Sequence, residues 1–224
     1  MNFLPGWAGG FGGALGPVTS LTFFAAVEGG AATTIALPVG LKKYDVAVLI
    51  DRGLGGEGGT NDVTPTNWED LISQADWSEA VLFNVSGRII QDASESEDVI
   101  AGNVLGEKVL LVYRPNGIVT TLTRGPANPV AGENATGNPT PQVIEADSLT
   151  PPMVLFGLFR GSNPFTTSVL DFSPAQDRFT AFDGNDPSTF WVGDKIYNTS
   201  PADTTVDMPD VGSQQLGSFS LRVA

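Results

Sequence analysis

Residues 44–51 read YDVAVLID, a short apolar run from Val46 to Ile50 with Asp45 and Asp51 at its ends. The run is too short for a buried helix and is dominated by Val, Leu and Ile. Both facts favour a strand buried on its two faces. The same pattern returns as KVLLVY at 108–113 and as MVLFGLFR at 153–160. Runs this apolar do not belong on a surface. They predict a core containing Val46, Val48, Ile50, Leu110, Val112, Val154, Phe156 and Leu158.

Working outward, further strands are expected at 18–27, 32–37, 118–123, 142–146, 179–182, 189–197, 204–208 and 217–223. Residues 80–85 and 87–91 read as a hairpin over a turn at 84–87. Residues 67–77 have the one modest helical look, or form a loop with two aromatic anchors. The stretch 125–141 has no apolar period and reads as a loop. With 27 Gly and 16 Pro, turns are frequent. Short strands spaced by turns, with almost no helix, argue for an all-β fold. The expected architecture is an antiparallel β-sandwich or jelly-roll-like single domain over residues 18–224, with a closed barrel as the alternative.

The start of the chain differs from the rest. MNFLPGWAGGFGGALGP, residues 1–17, mixes Gly and Pro with Phe3, Leu4, Trp7, Phe11 and Leu15, and no charge occurs before Glu28. Gly and Pro disfavour helix here. A solvated tail is normally charged and poor in aromatics. Residues 1–17 are therefore expected to be an extended apolar arm that docks on a partner through those large side chains. The alternatives are packing back on its own domain and a membrane-perturbing role. The segment lacks the basic start of a secretory signal and is too interrupted for a membrane span.

Composition narrows the chemistry. The chain has 25 Asp plus Glu against 11 Lys plus Arg, a net charge of −14, and contains no His and no Cys. That field repels nucleic-acid phosphates, so no nucleic-acid partner is expected. Without His or Cys there is no Ser-His-Asp or Cys-His site within the chain. Carboxylates are left as the only acid–base groups, and no paired-carboxylate pattern is apparent. The chain is read as a non-enzyme with no catalytic residue, no cofactor and no metal. The acidic stretches Asp92–Asp98 and Asp183–Asp186 have calcium-like composition, but neither completes a calcium loop. Trp68, Trp77 and Trp191 lie beside acidic or polar residues and are candidates for surface recognition, including of a host glycan.

Several segments together carry a resemblance. They are the Gly-rich apolar start, YDVAVLID after the Pro38–Gly40 turn, Trp68 three residues after Pro65, KVLLVYRPNG, PPMVLFGLFR, KIYNTSPADTTVDMPDVG and the final SFSLRV. In order and character, over most of residues 30–224, they resemble small β-rich structural proteins of tailed bacteriophages. The resemblance implies a virion component, oligomeric in the particle, with capsid, connector or tail subunits as partners. It implies no functional residues. A tail fibre or tail tip-associated role is the expectation. A capsid decoration (cement) protein and a carbohydrate-binding or carbohydrate-cleaving module are the alternatives.

Overall fold

A computed structural model describes residues 15–29, 34–52, 64–73, 83–97, 99–101, 108–131, 142–144, 149–161, 176–182, 189–201, 204–206 and 214–224. Among them the fold is all-β, and two antiparallel sheets pack face to face as a sandwich. The strands are β1 (Leu21–Glu28), β2 (Thr34–Ala36), β3 (Val46–Arg52), β4 (Glu69–Ile72), β5 (Phe83–Ile89), β6 (Val99–Ala101), β7 (Lys108–Pro115) and β8 (Leu122–Arg124). They continue with β9 (Asn128–Ala131), β10 (Gln142–Ile144), β11 (Met153–Gly161), β12 (Gln176–Phe182), β13 (Thr189–Tyr197), β14 (Thr204–Val206) and β15 (Gln214–Val223).

Sheet I has the order β1-β7-β3-β5-β4, and sheet II the order β12-β13-β11-β15-β8, with β9 also paired to β15. The first part of the chain therefore builds one sheet and the second part the other. Each of the three apolar runs lies inside a sheet rather than at its edge: β3 and β7 in sheet I, β11 in sheet II.

The period-2 alternation of strands divides the apolar residues between two faces. Val46, Val48, Ile50, Val109, Leu111 and Tyr113 face sheet II, where they join Val154, Phe156, Leu158, Val192, Phe219, Leu221 and Val223. Tyr113 meets Phe156 edge-on at 5.9 Å between ring centres, and Phe156 stacks on Phe219 at 4.6 Å. On the other face of sheet I, Ala47, Leu49, Leu110 and Val112 form a second core with Ile35, Leu37, Leu41, Trp68 and Ile90. The antiparallel pair β2–β6 belongs to this outer layer. All eight expected core residues are buried. Leu110 and Val112 serve the second core, which is why their run is apolar without alternation.

Three local readings are corrected. Residues 83–89 are one continuous strand, not a hairpin across 84–87. Gly87 is a packing residue there: a Cβ would lie 2.7 Å from Leu71 Cδ1 and 3.0 Å from Leu122 Cδ1. Residues 69–72 form strand β4 rather than a helical turn. A register shift between Asp70 and Ile72 lets the consecutive Leu71 and Ile72 both enter the main core, a placement that imitates helical spacing in sequence. Within the expected loop 125–141, Asn128–Ala131 pairs with β15. Its Pro129 is tolerated beside a register shift, where ladder bonding is already interrupted.

Candidate docking site

A small, heavily hydrogen-bonded structure forms where the described chain begins, at residues 15–21, the root of the expected arm. It is built on Arg114-Pro115-Asn116-Gly117, the last two residues of β7 and the bend that follows them. Pro presets φ for a turn, and Asn is suited to bonding nearby backbone. The Asn116 side chain clamps the incoming chain: its Oδ1 accepts from Thr19 N and Ser20 N, both at 2.9 Å. Its Nδ2 donates to Thr19 Oγ1 at 2.8 Å, and Asn116 N donates to Ser20 O at 3.1 Å. Ile118 N donates to Gly16 O at 3.0 Å, and Pro17 and Ile118 form a parallel bridge.

Gly117 makes this approach possible. A Cβ there would lie 2.6 Å from both Gly16 O and Pro17 O, distances no real side chain tolerates. Across the sandwich, Asn198 at the end of β13 reaches the same segment. Leu21 N donates to Asn198 Oδ1 at 2.7 Å, and Asn198 Nδ2 returns a bond to Leu21 O at 3.2 Å. Both sheets therefore hold the root. Ala224 is fixed beside it, its carbonyl accepting from Thr120 N at 2.7 Å and Thr121 N at 2.8 Å.

A groove of about 390 Å³ opens here between Leu15, Pro17, Val18, Ile118, Pro152 and Val223, with Arg222 also on its wall. Leu15 is 54% exposed, whereas Val18 is buried in the main core. The arm boundary drawn at residue 17 thus passes through the root: Gly16 and Pro17 are bound to the body. Of the expected docking residues, only Leu15 is described. Phe3, Leu4, Trp7 and Phe11 lie outside the described residues, so their role as docking groups rests on sequence.

Behind the turn, Arg114 fixes the strand that carries it. Its Nε and one terminal nitrogen donate to the two oxygens of buried Asp45 at 3.0 and 2.7 Å. It also donates to Gly40 O at 2.9 Å and stacks on Phe24 at 3.9 Å from the ring centre. Its hydrogen bonds to Asp45 raise the guanidinium pKa further, against the opposing effect of burial. This planar, two-pronged recognition is specific to Arg.

The remaining sequence candidates resolve differently. Trp68 and Trp191 are 8% and 1% exposed, so both are corrected from surface recognition to packing. Trp68 precedes β4 and packs in the second core, and Trp191 lies within β13 with its sequence neighbour Asp194 buried on the other face and bonded to Tyr113, which local composition does not reveal. Trp77 and Asp183–Asp186 lie outside the described residues. The acidic stretch after Gln91 contains a single 3-10 turn, Ala93–Glu97. Glu95 Oε1 accepts from Gln91 N and Asp92 N at 2.8 and 2.9 Å, Asp92 Oδ1 accepts from Ser94 N at 2.9 Å, and Arg88 pairs with Glu95 at 2.7 Å. The bond from the Ser94 backbone holds the Asp92 carboxyl below its ordinary range. These carboxylates stabilise a turn. Among the described residues no group of three or more acidic residues is placed to hold a metal ion, and no helix is long and apolar enough to cross a membrane.

The signal that could have located the root is RPNG after a strong strand, together with a Thr-Ser pair for Asn116 to bind. What the sequence could not show is that these segments meet, because they are about a hundred residues apart. No protein-family model, curated protein or solved structure matches the chain.

Proposed function

We propose that this chain is a non-enzymatic structural component of a bacteriophage virion, held in the particle by its apolar N-terminal arm. The observation that carries the reading is the root. An uncharged segment rich in Phe, Leu and Trp is joined to the body at a root fixed by both sheets, beside a mostly apolar groove. Pinning the root fixes the arm's origin and direction, which lowers the ordering cost when the arm binds. Each large apolar side chain buried at a partner would contribute about 1.5–3 kcal/mol before such costs. The body, which carries all the charge of a −14 chain, would face solvent. The segment resemblance given above supports a particle setting.

A tail fibre or tail tip position is the reading we favour over capsid decoration. The carbohydrate reading loses its support at Trp68 and Trp191, which are packed inside the domain. The test is electron microscopy of intact particles, with particles assembled from a chain lacking residues 1–14. Density for the sandwich on the tail, lost with the arm, is the expected result. Density on the head would select decoration. Particles devoid of the protein, or normal incorporation without the arm, would refute the reading.

A further inference from the structure

We propose that the groove beside the root receives the apolar arm, residues 1–14, of a second copy of this chain. This rests on the arm being a docking element and names what it docks on. The groove's chemistry selects an apolar, uncharged segment. Its wall is mostly apolar, from Leu15, Pro17, Val18, Ile118, Pro152 and Val223, with Thr120 and Ala224 also on it and Arg222 as the one charged side chain. Arg222 is half-buried, which limits the charge it presents to an occupant. Residues 1–14 combine these properties: Gly6, Gly9, Gly10, Gly12 and Gly13 among Phe3, Leu4, Trp7 and Phe11, with no ionisable side chain.

Reach permits a second copy. Two bodies of net charge −14 repel one another, so their contact has to be made by an uncharged element, which a segment without ionisable side chains supplies. Fourteen extended residues span up to about 46–50 Å, enough to reach a facing body. A groove of about 390 Å³ accepts only part of the arm. Two copies meeting end to end about a twofold axis would bring two grooves and two arms into one interface. Apolar residues left outside one groove would then pack on the partner's arm, as self-complementary symmetry allows.

The experiment is sedimentation of the purified full chain, the chain lacking residues 1–14, and Thr120→Trp. Thr120 is exposed on the groove wall, so its replacement fills the groove outside the core, losing one hydroxyl bond to Ala224 O while the backbone bonds from Thr120 N and Thr121 N to that carbonyl remain. Thr120→Arg serves instead should the Trp variant melt early. The full chain should sediment as a dimer, and each variant alone as a monomer. Mixing the armless chain with the groove-blocked chain should restore association, because one offers a groove and the other an arm. A monomeric full chain, a dimer that survives loss of the arm, or variants that ignore each other would overturn the proposal. Mass spectrometry of purified particles keeps the two readings apart. Self-association without incorporation sinks the virion reading alone, and incorporation of a monomeric chain sinks this one alone.

Discussion

Replacing Gly117 by Ala tests the root directly. The added methyl would meet Gly16 O and Pro17 O at 2.6 Å and the Pro17 carbonyl carbon at 2.7 Å. All three are backbone atoms, so no side chain can swing aside. Bringing these contacts to about 3.5 Å needs a retreat of roughly 0.9 Å. A shift of that size would stretch the 3.0 Å bond from Ile118 N to Gly16 O beyond useful length. Overpacking of this kind costs about 1–3 kcal/mol. The loss of glycine freedom in the unfolded chain returns about 0.4–1 kcal/mol. The net expectation is a destabilisation of about 1–2 kcal/mol, or a fall in Tm of about 2–8 °C for a chain of this size. Thermal unfolding gives the size, and amide hydrogen exchange gives the place. Exchange should quicken at Ile118, Thr19 and Ser20 and stay unchanged at Leu111 and Val112 in the centre of sheet I. An unchanged or raised Tm, with Ile118 as protected as before, would refute the close approach on which the site is built.

Tyr113→Phe removes a hydroxyl that donates to buried Asp194 at 2.5 Å across the sandwich, while keeping the ring packed between Phe23 and Phe156. Urea unfolding should show a loss of about 1.5–3 kcal/mol at constant m, the usual scale for a bond to a charged group; a change near zero would mean that Asp194 is satisfied without it. Arg114→Lys keeps the charge but loses the paired bonds to Asp45 and the planar stack on Phe24, and should cost about 1–2 kcal/mol. A wild-type melting curve for that variant would show the fork to be dispensable. Burial pushes the Lys108 ammonium below its ordinary pKa of 10.5, against the attraction of Asp51. Between the lowered folded value and 10.5 the unfolded chain binds the extra proton, so stability should rise with pH through that window. Comparing urea midpoints of the wild type and Lys108→Met across the alkaline range should show this rise in the wild type only; parallel curves would remove the assignment.

The sequence by itself determined the all-β class, the interior position of 46–50, 108–113 and 153–158, and the chemical contrast between an uncharged start and an acidic body. It could do so because burial of a strand is written in contiguous residues: period 2 for one buried face, an unbroken apolar run for two. It also marked the arm, since the absence of charge before Glu28 is a property of composition alone. Tertiary structure decided the questions that depend on a distant partner. Whether Trp191 faces solvent or core depends on which face of its sheet β13 presents, and Trp68, just before β4, is buried only because the outer layer closes over it. Gly87 resembled a turn residue because the Leu71 and Leu122 side chains that demand its missing Cβ are remote in sequence. The root of the N-terminal segment is the fullest case: Gly16 to Leu21, Asn116 to Ile118, Asn198 and Ala224 are ordinary turn and terminal residues when read one segment at a time. They become a site only when the pairing of β1 with β7, and the packing of sheet I on sheet II, bring their backbone groups within hydrogen-bond distance.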